Sequence, residues 1–118
     1  MKLNYITVRV RKLEESIRFY EDLAGLHIRR RMEVNGGSIA FLGNAEGETM
    51  LELIEFPEGE KVEAKGMVMS YLSEDELESL REKAIGLGYN PSEMIASGKK
   101  PKYFTVMDPD GITVEFSK

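Results

Sequence analysis

The sequence predicts an α+β fold made of two βαβββ units that share one core. Two observations predict this fold. The apolar residues change from a period of two to a period of three to four and back again, and they do so twice along the chain. The two stretches also repeat one another at a spacing of 63 residues, which relates Gly25 to Gly88 and Glu52 to Glu115. A half-sheet with a single helix leaves apolar surface exposed, so two such units are expected to pack together.

Strand and helix periods alternate through the first unit, residues 1–56. Alternation from Leu3 to Val10 predicts a strand with Tyr5, Thr7 and Arg9 on one face. The next segment has helical spacing and is expected to end at Gly25, with a buried face made of Leu13, Ile17, Tyr20 and Ala24. Three further strands are predicted, at residues 26–34, 38–43 and 49–56.

A linker at residues 57–65 separates this unit from the second, residues 66–118. After a strand at 66–72, Ser73 and Glu76 have the spacing of a capping box that would open a helix. Either Gly86 or Gly88 would end that helix, whose buried stripe is expected to be Leu77, Leu80, Ala84 and Leu87. Strands are predicted at 89–96, 102–107 and 112–117, the last two joined by the turn Asp108-Pro109-Asp110-Gly111.

The composition excludes several classes of function. The 118 residues contain no cysteine and one histidine, His27, so thiolate sites and any site with two imidazoles from one chain are excluded. The net charge of −5 argues against a nucleic-acid partner, because basic residues cluster only at Arg29-Arg30-Arg31 and Lys99-Lys100. No apolar run approaches the ~20 residues of a membrane helix, so we expect no membrane partner and a cytoplasmic location.

Two segments of this duplication carry a resemblance to a known family. The segment VRVRKLEESIRFYEDLAG, which ends at Gly25, and the segment DPDGITVEF, which begins at Asp108, resemble the vicinal oxygen chelate superfamily. That superfamily includes glyoxalase I, extradiol dioxygenases and bleomycin resistance proteins. The resemblance spans essentially the whole chain and implies the glyoxalase/bleomycin resistance fold, an open eight-stranded curved sheet around a pocket. It does not by itself imply one reaction.

The resemblance to glyoxalase I implies candidate metal and catalytic residues. The two glutamate ligands of that enzyme correspond to Glu52 and Glu115, but its two histidine positions correspond to Tyr5 and, at a spacing of 62, Met67. A phenol and a thioether are poor substitutes for imidazole toward nickel or zinc. We therefore expect no cofactor. The alternative is a divalent metal ion held by Glu52 and Glu115.

Strand alternation also predicts which side chains would bind a small organic molecule. Beside the two glutamates, these are Tyr5, Thr7, Arg9, Met50, Met67, Met69, Tyr71 and Thr113. Methionine and tyrosine adapt to apolar ligands, and an arginine suits either a ligand carboxylate or the glutamates themselves. The loop with Lys99, Lys100 and Lys102 is interpreted as either a lid over an anionic ligand or an ordinary exposed loop.

Three functions follow as hypotheses. The first is a small-molecule-binding protein with a degenerate metal site and little or no catalysis. The second is a metal-dependent lyase or isomerase of the glyoxalase I type, with Glu52 or Glu115 as general base. The third is an interaction module with a vestigial pocket. If the two carboxyls share a pocket, we expect one of their pKa values to be raised. A homodimer is expected because open sheet edges need cover.

Overall fold

Two helices and seven strands form this α+β protein, a computed structural model that describes residues 1–118. The chain divides into two compact units, Met1–Val62 and Glu63–Lys118. The first unit contains β1 (Tyr5–Arg9), α1 (Leu13–Asp22), β2 (His27–Val34), β3 (Gly37–Gly43) and β4 (Met50–Glu55). The second contains β5 (Val68–Leu72), α2 (Leu77–Gly86), β6 (Tyr103–Met107) and β7 (Thr113–Ser117). Neither helix is long and apolar enough to cross a membrane.

The sheet of the first unit buries one face and leaves the other open. Its strand order is β1-β4-β3-β2, with β1 parallel to β4 and the other neighbours antiparallel. Val8, Leu42 and Leu53 are buried on one face, together with the apolar stripe of α1. That stripe includes Leu13, Ile17 and Tyr20, as the spacing predicts. Residues of alternate parity on β1 and β4 therefore lie on the open face.

The second unit repeats this plan with one strand fewer. Its order is β5-β7-β6, with β5 parallel to β7 and β6 antiparallel to β7. Phe104, Val114 and Phe116 are buried, as are Leu77, Leu80 and Ala84 of α2. The prediction that Leu87 completes the stripe is wrong, because α2 ends at Gly86 and Leu87 is 46% exposed.

Of the eight predicted strands, the one at residues 89–96 is replaced by an irregular segment. Ser92 N–H donates to the Thr105 carbonyl at 2.8 Å, and Ile95 exchanges two hydrogen bonds with Tyr103. Ser92 and Ile95 are three residues apart, whereas their partners Thr105 and Tyr103 are two residues apart. The extra residue forms a β-bulge, which interrupts the ladder of hydrogen bonds. The Ser92 carbonyl instead accepts from Arg81 Nε, and Ser92 Oγ accepts the Thr105 N–H. The protein therefore has sheets of four and three strands in place of one eight-stranded sheet.

The predicted capping box is also wrong, although the helix itself forms. Ser73 N–H donates to the Ser117 carbonyl at 2.6 Å and so continues the pairing of β5 with β7. Its hydroxyl makes hydrogen bonds only to the backbone of Asp75. The helix begins later, at Leu77, and the Glu76 carboxylate pairs with Lys118 at 2.8 Å. Because Ser73 belongs to the end of the sheet, it cannot cap the helix.

The predicted glycines after the two helices and the predicted Asp108–Gly111 turn are found in the structure. Gly25 follows α1 at φ +66° and Gly88 follows α2 at φ +92°, whereas Gly86 lies inside the helix. In the Asp108–Gly111 turn, Asp108 Oδ1 accepts the N–H groups of Asp110 and Ile112 at 2.8 and 2.9 Å. This buried carboxylate accepts hydrogen bonds that backbone carbonyls would otherwise accept within the turn. Its role is therefore structural.

Candidate functional site

Each unit carries one buried glutamate beside a hydroxyl on the neighbouring parallel strand. The register of β1 and β4 pairs Thr7 with Glu52, and Thr7 Oγ1 donates to Glu52 Oε1. The register of β5 and β7 pairs Ser70 with Glu115, and Ser70 Oγ donates to Glu115 Oε1 at 2.7 Å. Both glutamates are only 8% exposed. The duplication therefore preserves a hydroxyl–carboxylate pair as well as the backbone.

This register corrects the predicted relation between the two units. A spacing of 63 residues relates Thr7 to Ser70 as well as Glu52 to Glu115, so Val68 is the counterpart of Tyr5. The prediction that Met67 is that counterpart is wrong, because Met67 precedes β5. The alternation in this stretch was ambiguous because apolar side chains occupy both faces of β5. The pairing of a hydroxyl with each glutamate was the signal that could have resolved it.

The same correction moves two predicted ligand contacts to the other face of the second sheet. Met69 pairs with Val114 and Tyr71 with Phe116, on the buried side and not on the side of Glu115. The rings of Tyr71 and Phe116 are stacked, with centroids 6.0 Å apart. Burial, with a smaller effect of the Asp108 charge, raises the pKa of Tyr71 to about 12. Thr113 does lie on the side of Glu115, two residues before it on β7.

In the first unit, the side chains of β1 and β4 that were predicted to share one face of the sheet do so. The register places Tyr5 beside Met50, Thr7 beside Glu52 and Arg9 beside Ile54, so these six side chains share the open face of the sheet. Phe41 pairs with Glu52 from the other side, and its ring meets Tyr5 edge-on at 5.2 Å. An acid thus lies among a hydroxyl, an arginine and apolar or aromatic side chains on one surface.

An open cleft of about 570 Å³ lies at the edge of this face. The segment after β4 forms one wall of the cleft. Its Val62 N–H donates to the Arg9 carbonyl at 2.8 Å, which holds the segment beside the end of β1. Sequence reasoning missed this wall, since residues 57–65 have no periodicity that would place them. The lining residues are Thr7, Val8, Arg9, Glu52, Ile54, Glu60, Lys61 and Val62.

The two basic side chains of the cleft differ in their partners. Lys61 Nζ donates to the Phe56 carbonyl, so its ammonium is already bound by the protein. The Arg9 guanidinium has no ion-pair or hydrogen-bond partner, so the predicted pairing of Arg9 with the glutamates is not observed. Arg9 is therefore the cation of this cleft that is available to a ligand.

Glu115 in the second unit has a cation of its own. Lys100 Nζ donates to Glu115 Oε2 at 2.9 Å and lies 4.3 Å from the centroid of the Tyr103 ring. The hydrogen bond from Ser70 and then that from Lys100 lower the pKa of Glu115 despite its burial, and Glu115 raises the pKa of Lys100. This direction is opposite to the one expected for a carboxyl that shares a pocket with a second carboxylate, because the partners of Glu115 are a hydroxyl and an ammonium.

The side chains at the implied metal-ligand positions do not fit an imidazole–carboxylate metal site. Tyr5 offers a phenol, and Val68, its counterpart, offers an alkyl group without any donor atom. His27 is exposed at the start of β2. No group of three or more histidine, cysteine, aspartate or glutamate side chains is arranged to hold a metal ion.

The fold is that of a known family. The chain belongs to the Glyoxalase/Bleomycin resistance protein/Dioxygenase superfamily, whose sequence profile matches residues 2–116. One relative is the uncharacterized protein YwbC of Bacillus subtilis (strain 168). It is 30% identical over 121 residues, which cover 98% of this chain and 95% of YwbC.

Solved structures share the fold at low sequence identity. The trypanothione-dependent glyoxalase I of Leishmania major matches 100% of this chain and 86% of its own, with a TM-score of 0.82 and 23% identity. TnmS3, an antibiotic-binding protein from Streptomyces sp. CB03234, matches 99% of this chain and 94% of its own, with a TM-score of 0.77 and 16% identity. Enzymes and binding proteins thus share this fold, so the site must decide the function.

Proposed function

We propose that this protein binds a small organic molecule, has a degenerate metal site and has little or no catalytic activity. The observation that carries the proposal is the cleft of the first unit, which the unpaired Arg9 guanidinium and Glu52 both line. A planar guanidinium binds a carboxylate through two parallel hydrogen bonds. Tyr5, Phe41 and Met50 continue the same face and offer contact to a ring or an acyl chain.

The state of the glutamates supports binding over catalysis. A general base works best when its pKa is near the working pH, and the pKa of Glu115 is lowered instead. Glu52 already accepts the Thr7 hydroxyl. No imidazole stands at the positions that hold the metal in glyoxalase I. The antibiotic-binding protein TnmS3 supports this reading, since it uses the same fold to bind a compound.

The proposed ligand site consists of residues of the first unit. These are Tyr5, Thr7, Arg9, Met50 and Glu52. Ligand contacts at Met67 and Thr113 are a separate proposal for the second unit, where Met69 and Tyr71 lie on the buried side of the sheet and not on the side of Glu115.

A pair of probes that differ in one charged group tests the role of Arg9. We expect 2-naphthoate to bind more tightly than the uncharged 2-naphthalenemethanol, as measured by calorimetry. Arg9→Met should remove most of that preference, about tenfold in Kd, which is the ordinary worth of one charge-assisted contact. Arg18→Met, on the exposed side of α1, is the matched control and should behave as the wild type. Equal binding of naphthoate by wild type and Arg9→Met would contradict the proposal.

Metal analysis tests the degenerate site. The protein purified without chelator should contain far less than one nickel or zinc per chain, and added magnesium or manganese should raise its Tm by no more than ~1–2 °C, less than a filled site produces. Stoichiometric metal that Glu52→Gln releases would support the alternative, a metal-dependent lyase or isomerase of the glyoxalase I type with Glu52 and Glu115 as ligands.

We also propose that the protein is a homodimer. In the second unit β5 is an edge strand of its three-stranded sheet, and its side chains Val68 and Leu72 are exposed. An apolar edge strand is a surface that another chain can cover. Light scattering at micromolar concentration should give about twice 13.4 kDa. A mass near that of one chain would contradict this proposal and leave the ligand site unaffected.

A further inference from the structure

We infer that Lys100 is a built-in cation of the Glu115 site. Its ammonium occupies the position beside the carboxylate that an external cation would take, so the ammonium must move away before such a cation binds. This inference deepens the proposed function, on which it rests, because it identifies what replaces the metal ion in the second unit.

The contacts of Glu115 leave neither carboxylate oxygen without a partner. Oε1 accepts the Ser70 hydroxyl at 2.7 Å and Oε2 accepts the Lys100 ammonium at 2.9 Å. The ammonium also faces the Tyr103 ring at 4.3 Å from its centroid. A carboxylate on one side and an aromatic face on the other are the two groups that bind ammonium ions well. Lys100 therefore lies in a site with the chemistry of a cation receptor.

The loop that carries Lys100 is held at its base and at its end. At the base, Ile95 and Tyr103 exchange hydrogen bonds of 2.7 and 3.0 Å. Next to Tyr103, Lys102 pairs with Glu78 of α2. Between them the backbone turns at Gly98, whose φ of +80° favours glycine. The side chain of Lys100 is half-exposed, so the ion pair with Glu115 lies at the protein surface. It can therefore break without unfolding of the sheet.

The first unit shows the same glutamate without such a loop. At the spacing of 63 residues, Lys100 corresponds to Gly37, at the end of the short turn that joins β2 to β3. This turn carries no basic side chain, and Glu52 has the Thr7 hydroxyl but no ammonium. The built-in cation is thus a property of the longer loop in the second unit.

Variants of two adjacent lysines test the inference. Lys100→Met keeps the length of the side chain and removes the charge, while Lys99→Met removes a charge from the same loop at a side chain that makes no contact with Glu115. Binding of Mn²⁺ and of propylammonium is measured by calorimetry. We expect Lys100→Met to tighten binding of at least one of these cations by about threefold to tenfold, the range of a partly exposed ion pair.

The controls separate this role from a structural one. Lys99→Met and Lys100→Arg should both bind the two cations as the wild type does, and circular dichroism should show that all three variants are folded. If Lys100→Met is unfolded, Lys100→Gln replaces it in the same measurements. Unchanged binding of both cations would overturn the role of Lys100 alone. Stoichiometric Mn²⁺ bound by the wild type and released by Glu115→Gln would overturn both this inference and the proposed function.

Discussion

The two units of this protein place a glutamate in the same position but surround it differently. In the first unit, Glu52 lies in an open cleft with an unpaired arginine. In the second, Glu115 is bound by the lysine of an overlying loop. The parallel pairing of the first and last strands of each unit preserves the hydroxyl–carboxylate pair. The loops outside those strands decide whether the carboxylate is available, so duplication of a fold does not duplicate a site.

The largest expected effects test how closely the two units correspond. Gly25 and Gly88 both follow a helix at positive φ, and a Cβ at either position would contact nothing. Replacement by alanine should therefore cost only the strain of the left-handed backbone, about 1–2 kcal/mol at each site. Gly86→Ala is the matched control, because Gly86 is the last residue of α2 and alanine favours a helix. Urea unfolding of the three variants measures the difference.

Unequal losses of stability at the two glycines would show that the structural correspondence between the two units does not include the helix ends. Equal losses of stability for Gly25→Ala and Gly88→Ala, with no loss for Gly86→Ala, would show that the correspondence includes the helix ends as well as the strands. A loss of stability in Gly86→Ala equal to the other two would contradict the explanation by backbone strain.

A smaller effect is expected in the pH dependence of stability that Glu115 contributes in the second unit. The pKa of Glu115 in the folded protein lies below its ordinary value of 4.5. Such a group stabilises the folded state above the ordinary pKa, and this contribution is lost as the pH falls through the lowered value. The free energy of unfolding of the wild type minus that of Glu115→Gln should therefore decrease from pH 6 toward pH 3. Because Lys100 is half-exposed, the change should be about 1 kcal/mol or less.

Lys100→Met should reduce this pH dependence without abolishing it, because the Ser70 hydroxyl is the larger cause of the lowered pKa. Lys99→Met should leave the dependence as it is in the wild type. A difference between wild type and Glu115→Gln that grows toward low pH would contradict the direction of the shift. Urea unfolding at each pH gives all four curves.

Local pattern was sufficient for most of the elements. The helices, all seven strands and the Asp108–Gly111 turn needed only the spacing of apolar residues and the chemistry of proline and glycine. Two of the local predictions that failed did so because a residue forms a contact with a distant part of the chain. Ser73 pairs with Ser117, and Ser92 gives its carbonyl to Arg81. Such partners are not visible in a window of neighbouring residues.

The face on which each candidate side chain lies was predicted correctly where the alternation is clear and wrongly where it is not. On β1 only one face is apolar and buried, so Thr7 and Arg9 were correctly placed beside β4. On β5 both faces carry apolar side chains, and a shift of one residue exchanges the whole set of outward and inward positions. Met69 and Tyr71 were misplaced for this reason.

By itself, the amino-acid sequence determined the α+β class, the duplication, the presence of the two helices and the two glutamates, because each depends on residue type and short spacing. The tertiary structure decided three further features: that Val68 is the counterpart of Tyr5, that residues 60–62 form a wall of the cleft, and that Lys100 reaches Glu115. Each of these depends on strand register or on the path of an aperiodic loop. Register and loop path are set by the packing and hydrogen bonds of residues far apart in the chain, which no local pattern encodes.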